Sequence, residues 1–112
     1  MFLLVSNRFL RFFTRGFASA ITLWPFIILS SKRQKLDQTL LNHERIHLAQ
    51  QIECGIIFFY LIYIFEYSYY RIKKYNNVRA YQSISFEKEA YAHECEFDYL
   101  TTRKWYSFIK YW

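Results

Sequence analysis

The order of apolar and polar residues along the chain predicts a mainly α-helical protein. A helix is expected to begin after Asp37, which suits an N-cap, with apolar positions at Leu40, Leu41, Ile46, Leu48 and Ile52. The pattern continues without proline into residues 56–65, which are apolar on every side, and Gly55 is the only interruption. We therefore expect one helix that runs on into a membrane-inserted segment, either short and spanning or partly submerged.

A second amphipathic helix is predicted after the turn signal Tyr75-Asn76-Asn77. Residues 80–104 contain neither glycine nor proline and mix apolar residues with many charges, and Ser83 or Ser85 suits the N-cap. The chain would then consist mainly of two long helices joined by one turn.

The N-terminal residues 1–35 form a separate segment in this prediction. Residues 1–16 carry three arginines at spacings of three and four, which predicts a short amphipathic helix. Residues 17–31 are largely apolar with Pro25 near the middle, and they suit either an edge strand or a short membrane-dipping segment. Residues 36–112 are expected to form the metal-binding domain, with residues 1–35 as its edge strand or membrane anchor.

Composition favours a lipid surface as a partner. Of the 112 residues, 54% are hydrophobic and 23% are aromatic, which is more than a domain of this size can bury. The net charge of +6 suits anionic lipid, and the aromatic tail at residues 105–112 suits a bilayer interface. The cations are scattered over apolar segments and no nucleic-acid-binding motif is present, so a nucleic acid is not the expected partner. Cys54 and Cys95 are isolated, which argues against a disulfide or a cysteine metal site.

The chemistry that the sequence offers centres on His43-Glu44-Arg45-Ile46-His47, an H-E-x-x-H motif within the first predicted helix. His43 and His47 are four residues apart, so both imidazoles project from one face and can reach one metal ion. Glu44 lies at the flank of that face, where it can hydrogen-bond a metal-bound water and act as general base. A hydrolytic site of this kind needs a third ligand and one position left open for water.

The second predicted helix offers several residues for that third ligand. Glu87 and Glu89 point in directions about 200° apart around a helix, so only one of them can face the metal. Glu89 and His93 share a face and form an alternative ligand pair, whereas Glu94 and Glu96 are expected to be solvated charges. The residues alone leave the choice between Glu87 and Glu89 open.

The stretch from Phe86 to Tyr91 (FEKEAY) resembles the E-x-x-A-D glutamate helix that follows H-E-x-x-H in gluzincin metallopeptidases. These include the HtpX-type and CAAX-processing membrane proteases and the minigluzincins. The resemblance covers residues 40–52 and 85–95, implies Glu87 as the ligand glutamate and implies Zn²⁺ as the cofactor. In place of the family's aspartate, which orients a zinc histidine, this chain has Tyr91, whose hydroxyl could accept that hydrogen bond or stabilise an oxyanion. His93 could also take a transition-state role.

These expectations describe a membrane-associated minimal zincin that hydrolyses peptide bonds. His43, His47 and Glu87 would bind zinc, and Glu44 would be the general base. The resemblance extends to small bacterial membrane proteins, which implies the bacterial inner membrane with the site near the cytoplasmic face. The partners would be a peptide or protein substrate and a lipid surface, and the sequence indicates no oligomeric state. The alternative is a non-catalytic membrane-anchored protein with a structural metal site or a partner-binding role.

Overall fold

The computed structural model describes residues 2–14 and 19–112, and within them the chain is mainly helical with one small sheet. In chain order the elements are β1 Phe2–Val5, α1 Asn7–Thr14, β2 Ala20–Leu23, β3 Phe26–Leu29, a 3-10 helix at Lys32–Leu36, α2 Gln38–Cys54, α3 Ile56–Ile72, α4 Asn77–Ser83, α5 Ser85–His93, α6 Tyr99–Thr102 and a 3-10 helix at Ser107–Tyr111. The expected mainly α fold is confirmed, but its division into two long helices and one strand is wrong.

The apolar segment around Pro25 forms a β-hairpin. Trp24 and Pro25 make its turn, where the missing proline N–H removes no bond between the strands. β3 lies in the middle of the sheet and pairs in parallel with β1 and antiparallel with β2, so β2 is an edge strand. That edge lies against α2, which places it beside the H-E-x-x-H motif.

β1 is an element that the sequence pattern did not indicate. Residues 2–5 pair with residues 26–29 of β3, and this tertiary pairing draws them out of the predicted N-terminal helix, which begins only at Asn7. Residues 1 and 15–18, on which parts of the predicted helix and strand fall, lie outside the described residues.

Two hydrophobic clusters hold these elements together. The first joins the sheet to α2 and consists of Ile27, Leu29, Leu41 and Leu48. The second joins α3 to the C-terminal third of the chain and consists of Phe59, Ile84, Phe86 and Phe108. α2 belongs to the first cluster, and α3, which follows it directly, belongs to the second. The two clusters are therefore connected at the end of α2.

The single long helix predicted from Asp37 onward is broken at Gly55. Asp37 is the N-cap, as expected, and its carboxylate accepts a hydrogen bond from the Leu40 amide at 3.1 Å. Gly55 has φ 82° and ψ 146°, a conformation open in practice only to glycine, and α3 leaves at 110° to α2. Among the described residues, no one helix is long and apolar enough to cross a membrane, although α2 and α3 taken as a bent pair meet the criteria of length and composition.

The predicted second long helix is three short ones. Asn76 is the N-cap of α4 and accepts a hydrogen bond from the Arg79 amide at 2.8 Å, in agreement with the predicted turn. The chain becomes extended at Ile84, which precedes α5, so neither Ser83 nor Ser85 is the N-cap. Instead the Glu66 carboxylate of α3 accepts a hydrogen bond from the Ser85 amide at 2.9 Å and satisfies that helix end from outside.

The aromatic C-terminal tail is partly inside the protein. Phe108 is buried, and its ring centroid lies 4.6 Å from that of Phe86 on α5. Trp105 and Trp112 remain exposed. The tail therefore packs against α5, and it contributes to the core as well as to the surface.

Candidate metal centre

Three buried side chains from two helices converge on one point. α2 presents His43 and His47 from one face, and α5 presents Glu87 from its first turn. Glu87 Oε1 lies 3.0 Å from His43 Nε2 and 3.1 Å from His47 Nε2, and the two nitrogens are 3.2 Å apart. These three residues form a group that could hold a metal ion.

The spacing of the three atoms suits ligands of a single ion. Imidazole nitrogens and carboxylate oxygens bind a first-row metal at about 2.1 Å, so two ligands in tetrahedral geometry lie about 3.4 Å apart. The observed separations of 3.0 to 3.2 Å need only a few tenths of an ångström of expansion. Two neutral imidazoles and one carboxylate also form a donor set that leaves a fourth position for water.

Each histidine is oriented through its other ring nitrogen. His43 Nδ1 lies 2.9 Å from Glu94 Oε2, and His47 Nδ1 lies 2.7 Å from Gln50 Oε1. Carboxylate and amide oxygens accept, so both Nδ1 atoms donate and both Nε2 atoms are directed at the centre. The expectation that Glu94 is a solvated charge is wrong, because its carboxylate orients a histidine of the motif.

Glu87 is fixed through its second oxygen. The Tyr63 hydroxyl of α3 donates to Glu87 Oε2 at 2.7 Å, which leaves Oε1 for the two imidazoles. Burial alone raises the pKa of Glu87, but the charge and hydrogen bonds of the two histidines outweigh it and hold the pKa well below its usual range. For His47 the effect of burial has the opposite sign and lowers the pKa. The nearby Glu87 carboxylate outweighs this effect and raises the pKa of His47 to about 9. Without a metal, an imidazole proton thus compensates the Glu87 charge.

The Glu44 carboxylate is held beside this centre by the edge strand. The Thr22 hydroxyl of β2 donates to Glu44 Oε2 at 2.5 Å, and both residues are buried. No described contact engages the other carboxylate oxygen of Glu44, which leaves it for a water or a substrate atom. The edge strand, one of the two alternatives for residues 17–31, therefore positions the carboxylate predicted as the base.

Two clefts meet at Glu44. The larger has a volume of about 670 Å³, and its lining includes the aromatic Phe59, Tyr60 and Tyr63 as well as His47 and Glu87 of the centre. The smaller has a volume of about 360 Å³ and contains the other side of the centre, at His43 and Glu94. Ala20, Glu44 and Tyr81 line both clefts, so an extended chain lying across the centre could occupy both.

Tyr81 is a residue of the site that the sequence did not indicate. Burial is the main cause that raises the pKa of its hydroxyl, and the Glu87 charge adds to it, so the hydroxyl keeps its proton at neutral pH. The Tyr81 hydroxyl oxygen lies 3.1 Å from the Tyr91 hydroxyl oxygen. A protonated phenol therefore lies in the wall of both clefts, beside Glu44.

Tyr91 does not take the role of the missing aspartate. Its ring meets the His43 ring edge-on, with centroids 4.5 Å apart, while its hydroxyl faces Tyr81. The hydroxyl therefore makes no hydrogen bond with a histidine of the centre among the described contacts. Glu94, seven residues after Glu87, supplies that carboxylate from the end of α5.

The alternative ligand pair, Glu89 and His93, lies away from the centre. Glu89 forms a buried ion pair with Arg103, and burial that raises its pKa is outweighed by this pairing, which lowers it. His93 stacks on Tyr99 with ring centroids 3.8 Å apart, and its Nδ1 and Nε2 face Glu96 and the Tyr111 hydroxyl. Neither side chain reaches the centre, so Glu87 is the carboxylate that joins the two histidines.

Glu89 instead supports the centre from outside. Gln50 Nε2 donates to Glu89 Oε1 at 2.9 Å, while Gln50 Oε1 faces His47. Arg103 continues this chain to Glu53, whose Oε2 lies 2.7 Å from Arg103 Nη1. His47 is therefore anchored to a buried polar network that reaches the C-terminal segment.

Comparison of the chain with protein-family models, with curated proteins and with solved structures finds no match. The resemblance to gluzincins therefore rests on the two short motifs.

Proposed function

We propose that the protein is a zinc-dependent peptidase that hydrolyses peptide bonds in an extended substrate. The observation that supports this best is the meeting of His43, His47 and Glu87 next to a Glu44 carboxylate at the junction of two clefts. A buried structural metal needs neither an open position nor a neighbouring carboxylate with a free oxygen.

A bound zinc would polarise the scissile carbonyl and lower the pKa of its water. Glu44 accepts a proton from the water that attacks the carbonyl carbon, and it then gives this proton to the leaving amine nitrogen as the C–N bond breaks. Thr22 holds the carboxylate in place during both transfers. The Tyr81 hydroxyl, which lies in the wall of both clefts, would exchange its present partner for the carbonyl oxygen as negative charge develops there.

The walls of the clefts favour apolar substrates on one side. The larger cleft is lined mainly by aromatic and aliphatic side chains, so it suits a bulky apolar residue next to the scissile bond. β2, as an edge strand beside the centre, offers backbone groups along which an extended peptide can lie.

The experiment combines metal analysis with a hydrolysis assay on quenched fluorogenic peptides. Wild-type protein should bind one zinc per chain and cleave peptides with bulky apolar residues. His43→Ala and Glu87→Ala should lose the metal. Glu44→Gln should keep the metal and lose at least about a hundredfold in kcat.

Glu96→Gln is the matched control, because it removes a carboxylate that contacts His93 and not the centre. It should keep both metal and activity. Equal hydrolysis by wild type and Glu44→Gln would overturn the proposed role of Glu44. A wild-type protein that binds zinc and cleaves nothing in a broad peptide library would favour a non-catalytic metal site.

A further inference from the structure

The outward face of α3 carries an apolar stripe. Six of its side chains are between 57% and 82% exposed, namely Ile57, Phe58, Leu61, Ile64, Phe65 and Ile72. At 100° per residue these positions fall within an arc of about 120°, and they extend over about 24 Å of helix. Soluble monomers rarely leave an apolar patch of this kind uncovered.

Folding keeps charge away from this stripe. Glu66 is the only charged residue of α3 before Arg71. It is buried on the inward face, where its carboxylate accepts hydrogen bonds from the amide and the hydroxyl of Ser85 at 2.9 and 2.8 Å. The one acidic group of α3 is thus paired on the inward face, and it adds no charge to the outward face.

Cations lie at the C-terminal end of the stripe. Arg71, Lys73 and Lys74 are all exposed, and the Lys73 ammonium lies 4.8 Å from the centre of the Tyr69 ring. A helix with an uncharged apolar face and a basic end has the pattern of helices that lie in the headgroup region of a bilayer. The net charge of +6 acts in the same direction on anionic lipid.

We propose that the α3 face binds the surface of a bilayer that contains anionic lipids, with the helix in the interface plane and the stripe among the acyl chains. The only polar groups along the stripe are the hydroxyls of Ser68 and Tyr69, between Phe65 and Ile72. So few polar groups suit hydrocarbon, whereas a protein interface carries about one hydrogen bond per 100–200 Å². A second copy of the chain is a poorer occupant, because it brings the same net charge of +6.

This placement brings the larger cleft to the lipid surface. Ile64 belongs both to the stripe and to the wall of that cleft. The cleft would therefore open beside the acyl chains and receive apolar segments of polypeptides at the membrane, a consequence that rests on the proposed peptidase function. The binding of lipid by α3 does not depend on it.

The test is flotation of purified protein with two kinds of vesicle, one of phosphatidylcholine alone and one that also contains phosphatidylglycerol. The Glu44→Gln background removes any self-cleavage, and the readout needs no hydrolysis. The parent should float with both and more strongly with the anionic vesicles. A Phe58→Ser, Leu61→Ser, Phe65→Ser triple variant should bind at least about tenfold more weakly to both. A Lys73→Gln, Lys74→Gln variant should weaken binding to the anionic vesicles alone, by roughly fivefold per charge.

Leu36→Ser, Phe97→Ser is the matched control for the triple variant. Both residues are exposed, and both lie near the N-terminal end of α2, where Leu36 precedes the N-cap and the Glu96 carbonyl accepts from Asn42. The control should float as the parent does, and thermal unfolding and zinc content should match in all variants because none of these residues contacts the metal centre. Failure of the parent to float, equal loss in control and triple variant, or a stable dimer that buries the stripe would each overturn the proposal. Because zinc content is measured separately, a failure to bind lipid would not count against the proposed metal centre.

Discussion

Replacing Glu94 with glutamine removes the negative charge that faces His43 Nδ1 and keeps the shape of the side chain. Carboxylates in this position make the imidazole a better ligand, and their loss usually lowers metal affinity 10- to 100-fold. The Glu94 side chain is 25% exposed, so solvent screens part of its charge. We therefore expect the lower end of that range, about a tenfold weaker zinc affinity, or about 1.4 kcal/mol.

The measurement is competition for zinc with a chromophoric chelator at fixed pH. Glu96→Gln removes an equal charge nearby but contacts His93, so it should leave the affinity within about twofold of wild type. Tyr91→Phe should behave in the same way, because the Tyr91 hydroxyl faces Tyr81. If Glu94→Gln binds zinc as tightly as Glu96→Gln, the Glu94 carboxylate does not support His43. If Tyr91→Phe binds zinc more weakly than Glu94→Gln, the tyrosine and not Glu94 supports His43.

Three further predictions concern other parts of the site and the fold. Thr22→Val should lower kcat about tenfold or more with zinc content unchanged, and Thr22→Ser should restore it, because only the hydroxyl bonds Glu44; equal rates in the two variants would contradict this. The raised pKa of His47, about 9, means that its proton stabilises the metal-free protein fully below the ordinary pKa of 6.5 and that this contribution is lost as pH rises through about 9. Zinc binding near pH 7.5 should therefore release about one proton, measured by calorimetry in buffers of different ionisation enthalpy, and binding without proton release would contradict it. Gly55→Ala should lower the free energy of unfolding by about 1–3 kcal/mol in denaturant titration, because a φ of 82° strains any residue with a Cβ. The loss would come from the backbone alone, since the nearest atom to a new Cβ is 4.0 Å away, and an unchanged midpoint would show that the bend tolerates a side chain.

The parts of the site that could be predicted from sequence depend on short spacings. Asp37 caps α2, and His43 and His47 share its face, because an N-cap and a separation of four residues are local properties of a helix. An edge strand near the motif was one of the two alternatives for residues 17–31, since Pro25 confines a strand to an edge or a turn. Glu87 could be chosen over Glu89 only through the family resemblance.

The errors arise where distant parts of the chain meet. The Glu94 carboxylate reaches His43 across 51 residues, a contact that no local pattern encodes. The start of α5 is capped by Glu66, which replaces the local serine caps that the sequence offered. The bend at Gly55 needs a positive φ, which glycine permits but does not require. The pattern of apolar residues therefore predicted the two helices as one.

Gln51 closes half of the edge of β2. Its amide accepts from the Trp24 N–H at 2.7 Å and donates to the Thr22 carbonyl at 2.8 Å, so one side chain forms the two bonds that a neighbouring strand would form there. The Tyr60 hydroxyl donates to the same carbonyl. Any strand added to β2 must end at Thr22, beside Glu44, and can extend only toward Ala20. By bonding these two backbone groups, Gln51 prevents a strand of another chain from pairing with them. The same two bonds set how far a bound peptide can follow β2.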